Sequence, residues 1–259
     1  MLLLLLVAVG APAKTLVRTH QRGSAGGISL RKRLHVNTLI AEPGTAEVDW
    51  AQLYSFSNQV WTMPATLRYT PTGERLMWGR TEYSVAFDSL TNISNGGRRV
   101  TQFGDNLTMS ATTVVVDREK FDVAIAPHAT FFLRNEAGVR LGATAIARYD
   151  AAGNSFSSTC AWSGATQASE NNPARIADVG VGFGRRLGPR GLARKLTPHG
   201  NAVWEMATGH ARTFSLFEGM AYEINQRISL DVSAQHFSLR GGAVDHQVVA
   251  GVTVSFSRR

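Results

Sequence analysis

The chain has one cysteine, Cys160, in 259 residues. No intrachain disulfide can form, and no Cys/His spacing resembles a zinc site. That removes the disulfide-stapled extracellular module and the structural metal domain from consideration. No run of eighteen or so apolar residues occurs, so no helix is long and greasy enough to cross a bilayer. Charge of one sign is not collected in a block. The 27 Lys+Arg exceed the 19 Asp+Glu by +8, but many basic residues are interleaved with apolar ones. Such interleaving is a poor footprint for nucleic acid, which is not expected as a partner. Seven histidines are scattered without metal spacing. No cofactor fingerprint survives inspection either. Gly180-Val-Gly182-Phe-Gly184 looks superficially like a phosphate cradle, but it lies inside an alternating run with no helix after it. Its glycines share one face, which predicts local curvature, or room for aromatic side chains of neighbouring strands to lie over the backbone.

What is present begins with MLLLLLVAVGAPA, residues 1–13. A short apolar run followed by Ala11-Pro12-Ala13 predicts a cleaved signal peptide, although a basic n-region is missing. A buried strand or helix is the alternative for this stretch. Residues 14–44 carry Arg18, Arg22, Arg31, Lys32 and Arg33 among Gly and Ser, which predicts a flexible periplasmic segment. From residue 45 to residue 259 the texture changes to alternating segments broken by turn residues.

The alternation has period two. Tyr83, Val85 and Phe87 oppose Arg80, Glu82, Ser84 and Asp88. Phe121, Val123, Ile125 and Phe131 oppose Asp122, His128 and Arg134. Val139, Leu141, Ala143, Ala145 and Tyr149 oppose Arg140, Thr144 and Arg148. Ile228, Leu230 and Val232 oppose Ser229, Asp231 and Ser233, and Val248, Val252, Val254 and Phe256 oppose Gly251, Thr253 and Ser255. Side chains two apart share a strand face, so each segment has one apolar and one polar face. Turn signals separate them, among them Asn135-Glu-Ala-Gly138 and Asp150-Ala-Ala-Gly-Asn154. About twelve strands result, near 46–57, 60–70, 75–88, 105–117, 120–134, 138–150, 156–167, 175–187, 200–210, 212–225, 227–240 and 244–257. Soluble strands average about five or six residues, whereas a membrane crossing needs about nine to eleven. The expected fold is therefore all-β: a closed antiparallel up-and-down transmembrane barrel.

Direction matters, because a soluble sandwich alternates too. The apolar face mixes small residues with aromatics expected near strand ends, including Trp50, Trp61, Trp78, Tyr69, Tyr149, Trp162, Trp204 and Phe256. That suits lipid contact. The opposite face would line a lumen with Arg68, Arg80, Glu82, Asp122, His128, Arg134, Arg140, Arg148, Asp178, Arg186, Glu205 and Asp231. A dry soluble core could not bear them. Paired, the arginines would rigidify the lumen; left partly unpaired, they would favour anionic solutes.

Val248-Val-Ala-Gly-Val-Thr-Val-Ser-Phe256 resembles the last strand that outer-membrane barrels present to their assembly machinery. Three segments, Glu42-Pro-Gly-Thr-Ala-Glu-Val-Asp-Trp50, Thr62-Met-Pro-Ala-Thr-Leu-Arg-Tyr-Thr-Pro71 and Trp78-Gly-Arg-Thr-Glu-Tyr-Ser-Val-Ala-Phe-Asp88, resemble bacterial outer-membrane barrels loosely grouped with the putative transporters of phenol meta-pathway degradation. The resemblance implies a transporter-like role in the bacterial outer membrane and no catalytic residue. Expected partners are outer-membrane lipids and lipopolysaccharide, the barrel-assembly machinery and small solutes. The first functional expectation is a passive channel for small solutes, with anionic or aromatic ones as the candidates. The second is a non-conducting structural or adhesive barrel acting through loops near 89–104 and 167–174. The third is a lipase-like enzyme, because His236 and Ser238 share a strand face; no Asn follows on the next strand to orient the base. No enzyme activity is expected.

Overall fold

The structure, a computed structural model, describes residues 40–56, 59–72, 75–76, 79–95, 98–102, 106–133, 138–169, 172–188, 191–210, 212–238 and 244–257. The leader, residues 14–39, Trp78 and Arg134 lie outside the described residues.

Among the described residues fourteen strands follow one another: β1 (Thr45–Ser55), β2 (Val60–Thr70), β3 (Arg75–Leu76), β4 (Gly79–Asn95), β5 (Arg98–Gln102), β6 (Asn106–Arg118), β7 (Phe121–Phe132), β8 (Val139–Ala151), β9 (Asn154–Ala165), β10 (Arg175–Arg185), β11 (Leu196–Ala207), β12 (Thr213–Glu223), β13 (Ile228–Ser238) and β14 (Val244–Ser257). One short helix, α1 (Gly191–Lys195), precedes β11. β3 and β5 are small additions to β4. The other twelve form a closed antiparallel barrel in which each strand pairs with its neighbours in sequence. β1 closes the ring against β14, running from Thr45↔Ser257 to Ser55↔Gln247. Closure leaves no open edge whose amides would lack partners in a membrane.

Most expected strand bounds agree with the structure to within a few residues. β4 is longer than expected, reaching Asn95 and continuing with β5 as a protruding hairpin. β11 begins earlier, at Leu196, and part of the basic connection before it is helical. Two prolines fall where pairing yields. The register shifts between Met63 and Pro64, and β6–β7 pairing lapses between Ser110↔His128 and Thr113↔Ile125, around Pro127, which has no amide to donate. Between β8 and β9, Ala152 (φ 49°) and Gly153 (φ 79°) both adopt the left-handed region that a two-residue hairpin loop demands.

The outward face is apolar. Leu67, Ile125, Leu141, Val181, Leu230 and Val232 are exposed on it. An exposed apolar surface this continuous suits lipid, not water. Aromatic residues ring the barrel at two levels. Tyr69, Tyr83, Phe121, Tyr149, Phe156 and Phe183 lie at the end that holds the strand termini Thr45 and Ser257; Trp61, Phe131, Trp162, Trp204 and Phe214 lie towards the other. Neighbours touch, Phe156 with Phe183 at 5.4 Å and Trp204 with Phe214 at 5.1 Å between ring centroids. Phe121 and Phe131 share β7; ten residues at about 3.3 Å along a strand tilted about 40° separate them by about 25 Å of height, the depth of an outer-membrane apolar band. Trp50 departs from expectation: it sits mid-strand, opposite Val252 and Ala65, because β1 rises past the girdle before reaching it.

Candidate functional site

The inward face is polar, and its charges are arranged in pairs. At the end bearing the termini, Arg68 of β2 is almost solvent-excluded, 2.5 Å from Asp49 and 3.8 Å from Glu47 on β1, and 4.0 Å from Glu82 on β4. Thr253 of β14 donates to Asp49, and Ser255 to Glu47 at 3.2 Å. Alternation of Glu47 and Asp49 with Ala46, Val48 and Trp50 puts these acids on the Arg68 face. Arg148 of β8 binds Asp150 at 2.8 Å and donates to Ser155. Asp122 is buried opposite Arg148 in the β7–β8 register. Arg80 meets Asp117 at 2.8 Å with both side chains partly solvated, at the rim. Hydroxyl pairs extend the network: Ser84 with Ser110 at 2.7 Å, Thr108 with Thr130 at 2.9 Å.

On the far wall, Asp178 and Glu205 face each other in register across β10 and β11. His199 hydrogen-bonds Asp231 at 2.7 Å, Ser233 donates to Asp231 at 3.1 Å, and Phe217 stacks on the imidazole. Glycine makes room for these groups. A Cβ on Gly219 would fall 2.8 Å from the His199 ring, and one on Gly142 would fall 2.5 Å from His128 Nε2. Gly180 lies beneath Thr159 and Val203, so the side chains over it are not the aromatic ones expected.

Each end of the interior receives a piece of chain. At the termini end, Ile40 is 1% exposed and packs with Val114, Ala124 and Ile146 of β6, β7 and β8. The Ala41 amide donates to Glu82 at 3.0 Å. The last residues of the segment expected to be flexible are thus seated in the barrel mouth. At the other end, Arg140 donates to Asn172 and to the Pro173 carbonyl of the β9–β10 connection.

Of the lumen residues expected from sequence, Arg68, Glu82, Asp122, Arg140 and Arg148 are buried on the inward face, while His128, Asp178, Glu205 and Asp231 are half-buried on it. Arg80 is at the rim. Arg186 lies one residue beyond the end of β10, exposed at the rim, 3.8 Å from Glu223 of β12. Sequence reasoning overlooked Glu47, Asp49 and Asp245, although all three alternate cleanly, and His199, whose strand pattern is broken by Pro198 and Gly200. Among the described residues no cluster of His, Cys, Asp and Glu could hold a metal.

His236 and Ser238 do share the outward face, but they do not engage each other. His236 Nδ1 is 2.7 Å from His246 Nδ1 and its Nε2 is 3.6 Å from Glu218. The Ser238 hydroxyl donates to the Phe214 carbonyl and accepts from the Phe214 amide. A serine with no base in contact is not an activated nucleophile.

A closed twelve-stranded barrel, apolar and girdled outside and ionic within, has the fold of the outer-membrane porins and channels. An outer-membrane channel from Pseudomonas putida F1 superposes with a TM-score of 0.61 at 9% identity, covering 84% of this chain and 97% of that one. The NanC porin gives 0.58 at 9%, covering 80% and 98%, and the KdgM porin 0.52 at 9%, covering 81% and 99%. No family model matches the chain, and no curated protein matches it in sequence.

Proposed function

We propose that the chain is an outer-membrane barrel that conducts small solutes passively. One observation carries this: a closed barrel whose ionisable side chains turn inward while an apolar band about 25 Å tall, bounded by aromatics, turns outward. A solvated or ion-paired lumen is the environment in which these charges are tolerable. Export through the leader at residues 1–13 is part of the proposal, as is insertion by the barrel-assembly machinery among outer-membrane lipids and lipopolysaccharide.

The solute class follows from charge. Arg68 and Arg148 are held by carboxylates, Arg80 meets one at the rim, and Arg140 grips a loop. Among the described residues, inward carboxylates outnumber inward arginines. Anion preference therefore loses its support, and neutral or cationic small molecules are the expected cargo. A neutral aromatic solute fits an interior to which Phe132 and Phe217 contribute.

Refolded protein in planar bilayers should give step currents, with a reversal potential in a salt gradient that is near zero or of cation sign. Silence at every voltage would support a non-conducting structural barrel instead, a second possibility favoured by the segments seated at both ends. A strongly anion-selective reversal potential would sink the solute assignment alone.

A further inference from the structure

The connection between β10 and β11 is the densest run of positive charge in the sequence: residues 185–195 hold Arg185, Arg186, Arg190, Arg194 and Lys195 and no acid. It lies at the end of the barrel that bears Thr45 and Ser257. That end has the shortest turns, two residues each at β6–β7 and β8–β9, as the periplasmic side of outer-membrane barrels does.

Phase fixes where these side chains go. Val179, Val181 and Phe183 face outward on β10, and Phe183 belongs to the aromatic girdle. Arg185, two residues on, is exposed on the same outward phase, about 5 Å beyond the girdle and so at the depth of lipid headgroups. Backbone pairing continues past it, Arg186 donating to the Gly153 carbonyl and Leu187 to the Leu196 carbonyl, both at 3.2 Å. Leu187 is thus outward too, and 49% exposed. Arg186, on the other phase, meets Glu223 instead.

The short helix α1 turns the same way. Lys195 Nζ lies 5.9 Å over the ring of Tyr222, an outward residue of β12, and donates to the Ile224 carbonyl at 3.0 Å. Leu192, three residues before Lys195, shares its side of the helix. At 64% it is the most exposed large apolar side chain among the described residues. Bare leucines beside guanidinium and ammonium groups suit the edge of a bilayer, where the apolar groups enter the acyl boundary and the cations stay at phosphate level.

We propose that the β10–β11 connection is an interfacial anchor that takes the phosphodiester headgroup of an anionic phospholipid on Arg185, Arg194 and Lys195, with Leu192 set into the acyl boundary. Arginine offers a phosphate paired donors and lysine a point charge. This rests on the outer wall facing lipid, and not on conduction.

The test refolds the full chain into vesicles of phosphatidylcholine, with or without roughly one third phosphatidylglycerol. The anionic lipid should raise the parent's urea midpoint by about 1 M, and molar salt should abolish the rise. Arg185→Gln/Arg194→Gln/Lys195→Gln should lose most of it. Arg118→Gln/Lys120→Gln/Arg227→Gln, which removes the same charge beside two other turns of that end, should keep it. Equal loss in both triple variants would reduce the effect to net charge and overturn the site, as would a parent indifferent to the anionic lipid. Leu192→Cys in a Cys160→Ser background, carrying an environment-sensitive fluorophore, should be quenched by a nitroxide on the lipid headgroup. Unquenched emission, as in water, would overturn the seating of the helix. A parent that enters neither kind of vesicle in folded form would remove the membrane reading itself, and this site with it.

Discussion

Arg68 illustrates the balance each interior charge must strike. Taking a guanidinium out of water costs several kcal/mol, and only close carboxylates offset that. Asp49, Glu47 and Glu82 supply them from two neighbouring strands. Removing the cation alone would leave the acids buried and repelling one another. Arg68→Met should therefore destabilise the barrel by about 3–5 kcal/mol, measured as a lower urea midpoint for unfolding from lipid vesicles. Adding Asp49→Asn should recover part of the loss, since contacting groups do not contribute additively. An unchanged midpoint would mean that water reaches the cluster freely. The inward direction of Arg68 was legible from its phase in the sequence. Its three partners were not, because they depend on which strands flank β2.

At the level of the strand, glycine at inward positions decides what may pack across a pair. A Cβ on Gly142 of β8 would meet not only the His128 ring but also the Trp162 carbonyl at 2.6 Å and Ser163 Cβ at 2.7 Å. The ring could swing away; the carbonyl belongs to a paired strand and could not. Gly142→Val should cost about 1–3 kcal/mol through overpacking, read from the same unfolding measurement. An unfolding midpoint equal to that of the parent would refute the crowding. The β4–β5 hairpin shows the limit of pattern at this scale. Residues 89–104 are dense in Asn, Gly and Ser, so local chemistry favoured a loop, and only the pairing of Thr91 through Asn95 with Arg98 through Gln102 makes them strands.

For the whole molecule, orientation in lipid is the quantity at stake. Glu218 is a carboxylate on the outer face, beside His236: its side chain is 66% exposed, midway along β12 between Phe214 and Tyr222. An ionised group near the middle of an apolar band is costly, less so for an acid than for a base. Glu218→Leu should raise the unfolding midpoint in lipid vesicles, by about 1–2 kcal/mol. Equal or lower stability would show that this face meets protein or water rather than acyl chains.

The strands, their number to within a small error, and which face of each is apolar were all legible in the sequence, because a period of two and turn residues act over a few neighbours. It also determined that the inward set is ionic, since charge identity and phase are both local. Closure of the ring settles which charges neutralise which, seats Ile40 at one end and Asn172 and Pro173 against Arg140 at the other, and leaves the arginines occupied rather than offered to solute. Those facts depend on residues tens to hundreds of positions apart being brought to contact by closure of the ring, and no local pattern encodes that distance.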